Sequence, residues 1–384
     1  MRNNIRRLAA TLMAGFLVVG LALGYWQVVR APELLARADN PRLVETERRV
    51  QRGRILDRNG VVLAYSQTDD DGVTRRVYPY PELVHVTGFY SLRYGVSNIE
   101  AAYDDVLRGL SGRLALQAMI DGLLHRPQIG LDVMLTIDVD WQAAADAALG
   151  KRRGAVIVLD PNTGAILALV SHPVYDPNRL DETWEILRDA PDTPLLNRAT
   201  QGLYPPGEEL EELGEVVRIG EVGGIEGLEE IGELGEFRGM VTPLQMALAT
   251  AAVANGGQVP TVHLVQAVQD SSGGWRELAR ASSRAVISPY TADQLRAVMI
   301  LAVEEGRAGE VALPGVTVAG KASTAQVGEE GQLPHAWFVG FAPVEAPRVV
   351  VVVLVENGGD GGRVAAPVAR EVLERVLRLT PPRS

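Results

Sequence analysis

Three short runs without a polar side chain constrain the fold of this chain most: residues 155–159 (AVIVL), 165–170 (AILALV) and 349–355 (VVVVVLV). Each is too short for a buried helix, and each is rich in residues that pack well on a pleated surface. A strand with one face in water alternates apolar and polar side chains. These runs do not alternate, so both of their faces must be covered. Asp160-Pro161-Asn162-Thr163-Gly164 separates the first two as a five-residue turn, which makes them a buried antiparallel pair. Residues 349–355 suit the centre of a sheet. Helices supply the cover. Thr242 can cap one with Pro243 at its first position, and Asn255-Gly256 can stop it. Ser288-Pro289 opens another with Gly306 just past its end, and residues 366–377 give a C-terminal helix. The predicted fold class is α/β (α+β), a central antiparallel sheet with helices on both faces.

The N-terminus has a different character. Arg2, Arg6 and Arg7 precede an apolar run at residues 8–26 that ends on Tyr25 and Trp26. Nineteen residues at 1.5 Å rise span about 28 Å, close to the hydrocarbon thickness of a bilayer. The reading is a cytoplasmic tail and transmembrane anchor over residues 1–30, with the N-terminus inside and the bulk of the chain outside the plasma membrane. The rival is a cleaved signal peptide ending near Ala22-Leu23-Gly24, for which the run is long. Gly20 and Gly24 have GxxxG spacing, although one such pair reads more simply as helix filler. Residues 31–130 form a small module, in which residues 52–64 read as strand, Asn59-Gly60 turn and strand. The larger domain occupies residues 131–384.

Charge narrows the function. The chain of 384 residues carries a net charge of -11, which disfavours nucleic acid as a partner. Residues 208–236 hold 11 Glu and one Arg, a net of -10, so the rest is almost neutral. There is no cysteine, the five histidines are scattered without an HExxH, and no metal or other cofactor is expected. There is no GxSxG. Gly315 to Lys321 matches GxxxxGK, but Ala322 follows where a nucleotide site needs a hydroxyl, and the context is strand-like.

The acidic segment has a period of three. Leu210, Leu213, Val216, Ile219, Val222, Ile225, Leu228, Ile231, Leu234 and Phe237 recur without exception, separated mainly by Glu and Gly. On an α-helix such a stripe drifts about 60° per step and circles the axis. A weakly ordered acidic low-complexity connector over 208–237 is the expected state. A strip for a cation or partner, and a helix that partly rebuilds a lost one, are the other readings.

Segment order brings in a family. Residues 52–64, Leu135-Thr136-Ile137-Asp138, residues 154–171 and Tyr175-Asp176-Pro177-Asn178 resemble, in order, segments of the class B penicillin-binding proteins, the membrane-anchored peptidoglycan transpeptidases. So do Asn197-Arg198-Ala199, Gly202-Leu203-Tyr204-Pro205-Pro206-Gly207, residues 242–247, residues 335–343 and Val355-Glu356-Asn357. Tyr25-Trp26-Gln27 resembles the actinobacterial-type subgroup. The resemblance implies that residues 31–130 are a pedestal domain and residues 131–384 a truncated transpeptidase-like domain. It also implies a peptidoglycan stem peptide, other cell-wall synthesis proteins and the plasma membrane as partners.

The family's chemistry needs a Ser-x-x-Lys at a helix start, where one turn sets the amine beside the hydroxyl that attacks a D-Ala–D-Ala carbonyl. Glu208 stands at the Ser position and Glu211 at the Lys position. Glu as nucleophile would give a reactive anhydride, and two carboxylates repel rather than activate. No Ser-x-Asn lies between Glu211 and Thr242, an interval far shorter than the family's. The third motif, Lys-Thr-Gly-Thr, reads Lys321-Ala322-Ser323-Thr324. Lys321, Ser323 and Thr324 are the candidate substrate-binding residues. The chain is therefore expected to be a scaffold or partner in cell-wall synthesis without an intact catalytic pair. The alternative is an active transpeptidase with a displaced nucleophile such as Ser171 or Ser323. His335 reads as a structural residue or part of the substrate wall.

Overall fold

The computed structural model describes residues 2–26, 47–70, 72–111, 128–220, 239–280, 282–328 and 331–379. The chain falls into two compact units, residues 1–50 with 68–74, and residues 51–67 with 75–384.

In the first unit, helix α1 (Arg2–Gly24) runs through the apolar stretch. Leu12, Met13, Phe16, Leu17, Val18, Val19, Leu21 and Leu23 are each more than half exposed. Among the described residues, no helix is long and apolar enough to cross a membrane. The predicted anchor is thus present as a helix but not as a recognisable span. The side chains at 8–10 lie outside the described residues, which leaves residues 11–26 of the predicted run of nineteen.

The second unit holds two larger sheets. Their strands in chain order are β1 (Ile55–Leu56), β2 (Val62–Thr68), β3 (Thr74–Val77), β4 (Val133–Leu135), β5 (Gly154–Leu159) and β6 (Ile166–His172). They continue with β7 (Val265–Gln269), β8 (Trp275–Glu277), β9 (Ala319–Ala325), β10 (His335–Ala342) and β11 (Val349–Val355). The five-stranded sheet has the order β9-β10-β11-β5-β6, every neighbour antiparallel. The valine run is its central strand. Every residue of β5, β10 and β11 is buried. The predicted hairpin is β5 and β6, and its turn closes at Gly164, where φ is +77 and a Cβ would lie 2.2 Å from the Thr261 carbonyl oxygen.

Alternate residues divide the core between the two faces. Ile157, Leu159, Trp337, Val339, Val352 and Leu354 pack with the helix Pro243–Ala254. Val156, Val158, Phe338, Val351 and Val353 pack with the helices Val139–Leu149 and Gly361–Leu379. In chain order these are α2 (Val139–Leu149), α3 (Pro243–Ala254) and, beyond Pro289–Glu304 as α4, α5 (Gly361–Leu379). Helix α3 is fully buried. It starts on a capping box, with the Thr242 hydroxyl accepting from the Gln245 N–H and the Gln245 side chain accepting from the Thr242 N–H. Helix α5 begins at Gly361, five residues before the predicted start, because Asp360 caps it by accepting from the Arg363 N–H. Pro367 lies within the helix.

The six-stranded sheet has the order β8-β7-β4-β1-β2-β3, and so draws strands from both sides of residue 131. Arg76 of β3 belongs to a buried ion cluster. Glu100, fully buried, accepts from Arg52 Nε (2.9 Å), Arg76 Nε (2.6 Å) and the Tyr78 hydroxyl (3.2 Å). Arg52 also pairs with Asp104. Asp57 shapes the Asn59-Gly60 turn by accepting from the N–H groups of Asn59 and Val61. These contacts give the residues 52–64 a structural reason.

His85 makes the fold sensitive to acid. Burial pushes it down to about 4, against the Pro173 carbonyl, which favours its charge, and with help from Arg198 and His172. Its Nε2 lies 3.3 Å from that carbonyl oxygen. The unfolded chain takes up this proton near pH 6.5 and the folded chain only near 4, so stability falls as pH drops through that window. The slope approaches about 1.4 kcal/mol per pH unit, roughly 3 kcal/mol in all. Urea unfolding at pH 7 and pH 4.5 should show the loss in the native chain and a much smaller one in His85→Gln.

Candidate active site

The segment leading to Gly207 is fixed on three sides. Tyr204 and Val241 exchange backbone hydrogen bonds of 2.9 and 2.8 Å. Trp337 on β10 donates from Nε1 to the Pro205 carbonyl at 2.9 Å. Glu356, just past β11, accepts from Arg198 Nε (2.8 Å), the Tyr204 hydroxyl (2.7 Å) and Arg153 Nη2 (2.9 Å). Burial first, then Glu356, pushes the Tyr204 hydroxyl well above its ordinary range, so it stays a donor. Gly207 has φ +80, and a Cβ there would lie 2.2 Å from Ser323 Oγ, so the helix entry passes tightly over β9.

A single 3₁₀ turn, Glu208–Leu210, follows and continues into the helix Glu211–Gly220. Leu210, Leu213 and Val216 are buried, and this helix packs on α3. The expected weakly ordered connector is therefore replaced by a helix over its first part; residues 221–238 lie outside the described residues. The period of three explains how this is tolerated. In a 3₁₀ turn residues three apart eclipse, and over two further α-helical steps the stripe drifts only about 120°, still one broad face.

The cleft beside this helix has a volume of about 940 Å³ and is lined by Gly207, Glu208, Glu209, Glu211, Glu212, Glu215, Arg307, Thr324, Gln326 and Asp360, among others. Glu208 and Glu211 are exposed at its wall. The two glutamates that engage the opposite wall are ones the sequence did not single out. Glu209 Oε2 accepts from Ser323 Oγ at 2.8 Å, and its Oε1 from Arg307 Nη1 at 3.1 Å. Glu212 Oε2 meets Lys321 Nζ at 3.2 Å. Partial burial works to raise the Glu209 carboxyl, but its own N–H, the Ser323 hydroxyl, the Thr324 N–H and Arg307 outweigh it and hold it below the ordinary range.

Strand β9 is an edge strand, and its alternation sorts the three predicted substrate residues. Lys321 and Ser323 face the acidic helix. Thr324 presents only its N–H there, because its hydroxyl accepts from the Gly361 N–H at 3.2 Å on the other side. Lys321 lies inside a strand, which removes the helix N-terminus that a GxxxxGK site requires. Ser171 is on β6, the opposite edge, four strand spacings or about 19 Å away. It is buried, accepting from the Arg198 N–H at 2.8 Å and donating to the Leu196 carbonyl at 3.3 Å. His335 is buried, its Nδ1 accepting from the Asn357 N–H at 3.0 Å, and burial lowers its pKa against the pull of Glu356. Among the described residues, no group of three or more His, Cys, Asp or Glu is placed to hold a metal ion.

The penicillin binding protein transpeptidase domain matches residues 154–207 and 220–374, and the penicillin binding protein A dimerisation domain matches residues 52–133. The break in the first match, 208–219, contains every carboxylate of the acidic helix named above. The peptidoglycan D,D-transpeptidase PbpA of Mycobacterium tuberculosis is 32% identical over 498 aligned positions, covering 99% of this chain and 100% of that protein. Those positions outnumber the 384 residues here, so more than a hundred have no counterpart in this chain. The imipenem acyl-enzyme complex of penicillin-binding protein A from M. tuberculosis superimposes with a TM-score of 0.75 at 30% identity, covering 87% of this chain and 100% of that one. The D,D-transpeptidase domain of a peptidoglycan glycosyltransferase from Eggerthella lenta gives 0.72 at 27% identity, covering 86% and 99%. With both domain matches and a relative 32% identical along nearly the whole chain, the chain belongs to the class B penicillin-binding protein family, to which peptidoglycan D,D-transpeptidases such as PbpA belong.

Proposed function

We propose that this protein is a non-catalytic penicillin-binding-protein homologue that serves peptidoglycan synthesis as a scaffold or partner of other cell-wall synthesis proteins. One observation carries the reading. At the helix entry where the family sets its Ser and Lys stand Glu208 and Glu211. A carboxylate is no acceptor for the proton of a serine that is absent, and an acylated Glu would be an anhydride open to water. The displaced-serine alternative gains no support from the geometry. Ser171 is buried with both hydrogen bonds spent on backbone, and Ser323 is 1% exposed, its hydroxyl held by Glu209.

The same reading assigns residues 1–30 to a plasma-membrane anchor with the N-terminus cytoplasmic, 31–130 to a pedestal and 131–384 to the transpeptidase-like domain, with residues 208–237 standing in for the helical subdomain. The anchor is supported by α1, whose large apolar side chains are exposed all round, a pattern that water disfavours and lipid accepts. Lys321, Ser323 and Thr324 remain the residues for a stem peptide.

Release of D-alanine from a stem pentapeptide tests the reading. The full-length protein should release none above a no-enzyme control, and turnover would overthrow it. The double variant Glu208→Ser/Glu211→Lys should also stay inactive, since no Ser-x-Asn follows before Thr242. Turnover by that variant would mean that the remaining cleft suffices.

A further inference from the structure

We infer that Glu209 acts as an internal competitor: its carboxylate fills an anion cradle on the edge of β9, and a ligand with a free carboxylate enters only by displacing it. This rests on the proposed reading, in which the cleft is a binding site without acyl transfer. The cradle is built from three donors on two walls, with a fourth beside it. Ser323 Oγ donates at 2.8 Å, Arg307 Nη1 at 3.1 Å, and the Thr324 N–H completes the set around Glu209. The Lys321 ammonium stands next along the same strand face, 3.2 Å from Glu212. Such a convergence of a guanidinium, a hydroxyl, an amide and an ammonium suits a carboxylate, and two side chains of the same chain already supply it.

The position of the occupant argues that it can be displaced. Glu209 is one residue past Glu208 on a 3₁₀ turn, and its side chain remains 34% exposed while Arg307 is 72% exposed. Exposed ion pairs of this kind are individually weak. What holds Glu209 in place is its tether, since a group on the same chain is present at an effective concentration far above that of a free ligand. A ligand therefore sees the cradle at its intrinsic affinity reduced by the fraction of time the tethered carboxylate is out. The rest of the charge facing the cleft, Glu208, Glu211, Glu212, Glu215 and Asp360, adds repulsion for an incoming anion.

The test is calorimetric titration of the full-length protein with Nα-acetyl-D-alanyl-D-alanine and with its C-terminal amide. Glu209→Ala should bind the acid at least about tenfold more tightly than the native chain, corresponding to an open fraction of a tenth or less. Glu209→Gln should gain less, because its amide oxygen can still accept from Ser323. The amide ligand should gain nothing, and adding Arg307→Ala to Glu209→Ala should remove the gain. Unchanged melting of Glu209→Ala, a part-exposed site, shows that the fold is retained. Equal affinity of native and Glu209→Ala for the acid, absence of binding by both, or an equal gain for the amide would overturn the inference while leaving the non-catalytic reading intact. Covalent labelling of Glu209→Ala by a penicillin would instead overturn the non-catalytic reading and leave the competition standing.

Discussion

Glu100→Ala is expected to cost about 3–5 kcal/mol of stability, the range for stripping one partner from a buried ion cluster. Glu100 is fully buried and takes hydrogen bonds from Arg52 Nε, Arg76 Nε and the Tyr78 hydroxyl. Arg52 and Arg76 have side chains 2% exposed, so neither can recover its lost partner from water. The variant leaves two guanidiniums side by side, with Asp104 the remaining carboxylate on Arg52. Burial and Glu100 together hold the Tyr78 hydroxyl protonated, and that donor also loses its acceptor. Urea unfolding measures the effect. A loss under about 1 kcal/mol would put the cluster in the class of exposed pairs, which the burial denies. Replacing Arg52, Arg76 and Glu100 together with apolar residues of like volume should cost less than Glu100→Ala alone, because no charge is then left unpaired.

Trp337→Ala is the second large effect, expected at about 3–5 kcal/mol. Trp337 has no exposed surface, meets the Tyr204 ring edge-on at 6.3 Å, and donates from Nε1 to Pro205. The loss has two parts that can be separated. Trp337→Phe keeps most of the apolar bulk but leaves the Pro205 carbonyl without its donor, which should cost about 1–3 kcal/mol. Because that bond holds the entry to the acidic helix, the Phe variant should also speed hydrogen exchange at the Leu210 amide, which donates to the Gly207 carbonyl. Unaltered exchange there would mean that the Tyr204–Val241 bridge alone fixes the entry.

The main sheet was legible because its signal is local. Runs without polar residues, a Pro- and Gly-bearing turn, and caps such as Thr242-Pro243 each act within a few residues. The ion cluster was not, since Arg52 and Glu100 lie 48 positions apart and either reads alone as a surface charge. The acidic segment misled for a reason of scale. Nine steps of three cannot stay on one helical face, but Leu210, Leu213 and Val216 need only two steps. The site was half legible. Glu208 and Glu211 could be placed from Pro206-Gly207, whereas the outward reach of Glu209 and Glu212 depends on the phase of a 3₁₀ turn. Thr324 shows the same limit, as alternation on β9 decides which of its groups meets the cleft.

No acyl-enzyme is expected to form on this chain. Full-length protein is incubated with a labelled penicillin and followed by intact mass, with peptide mapping of any product. An unchanged mass after exhaustive incubation is the expected result. A stoichiometric gain of one penicillin, mapped to Ser171, Ser323 or any other serine, would contradict it.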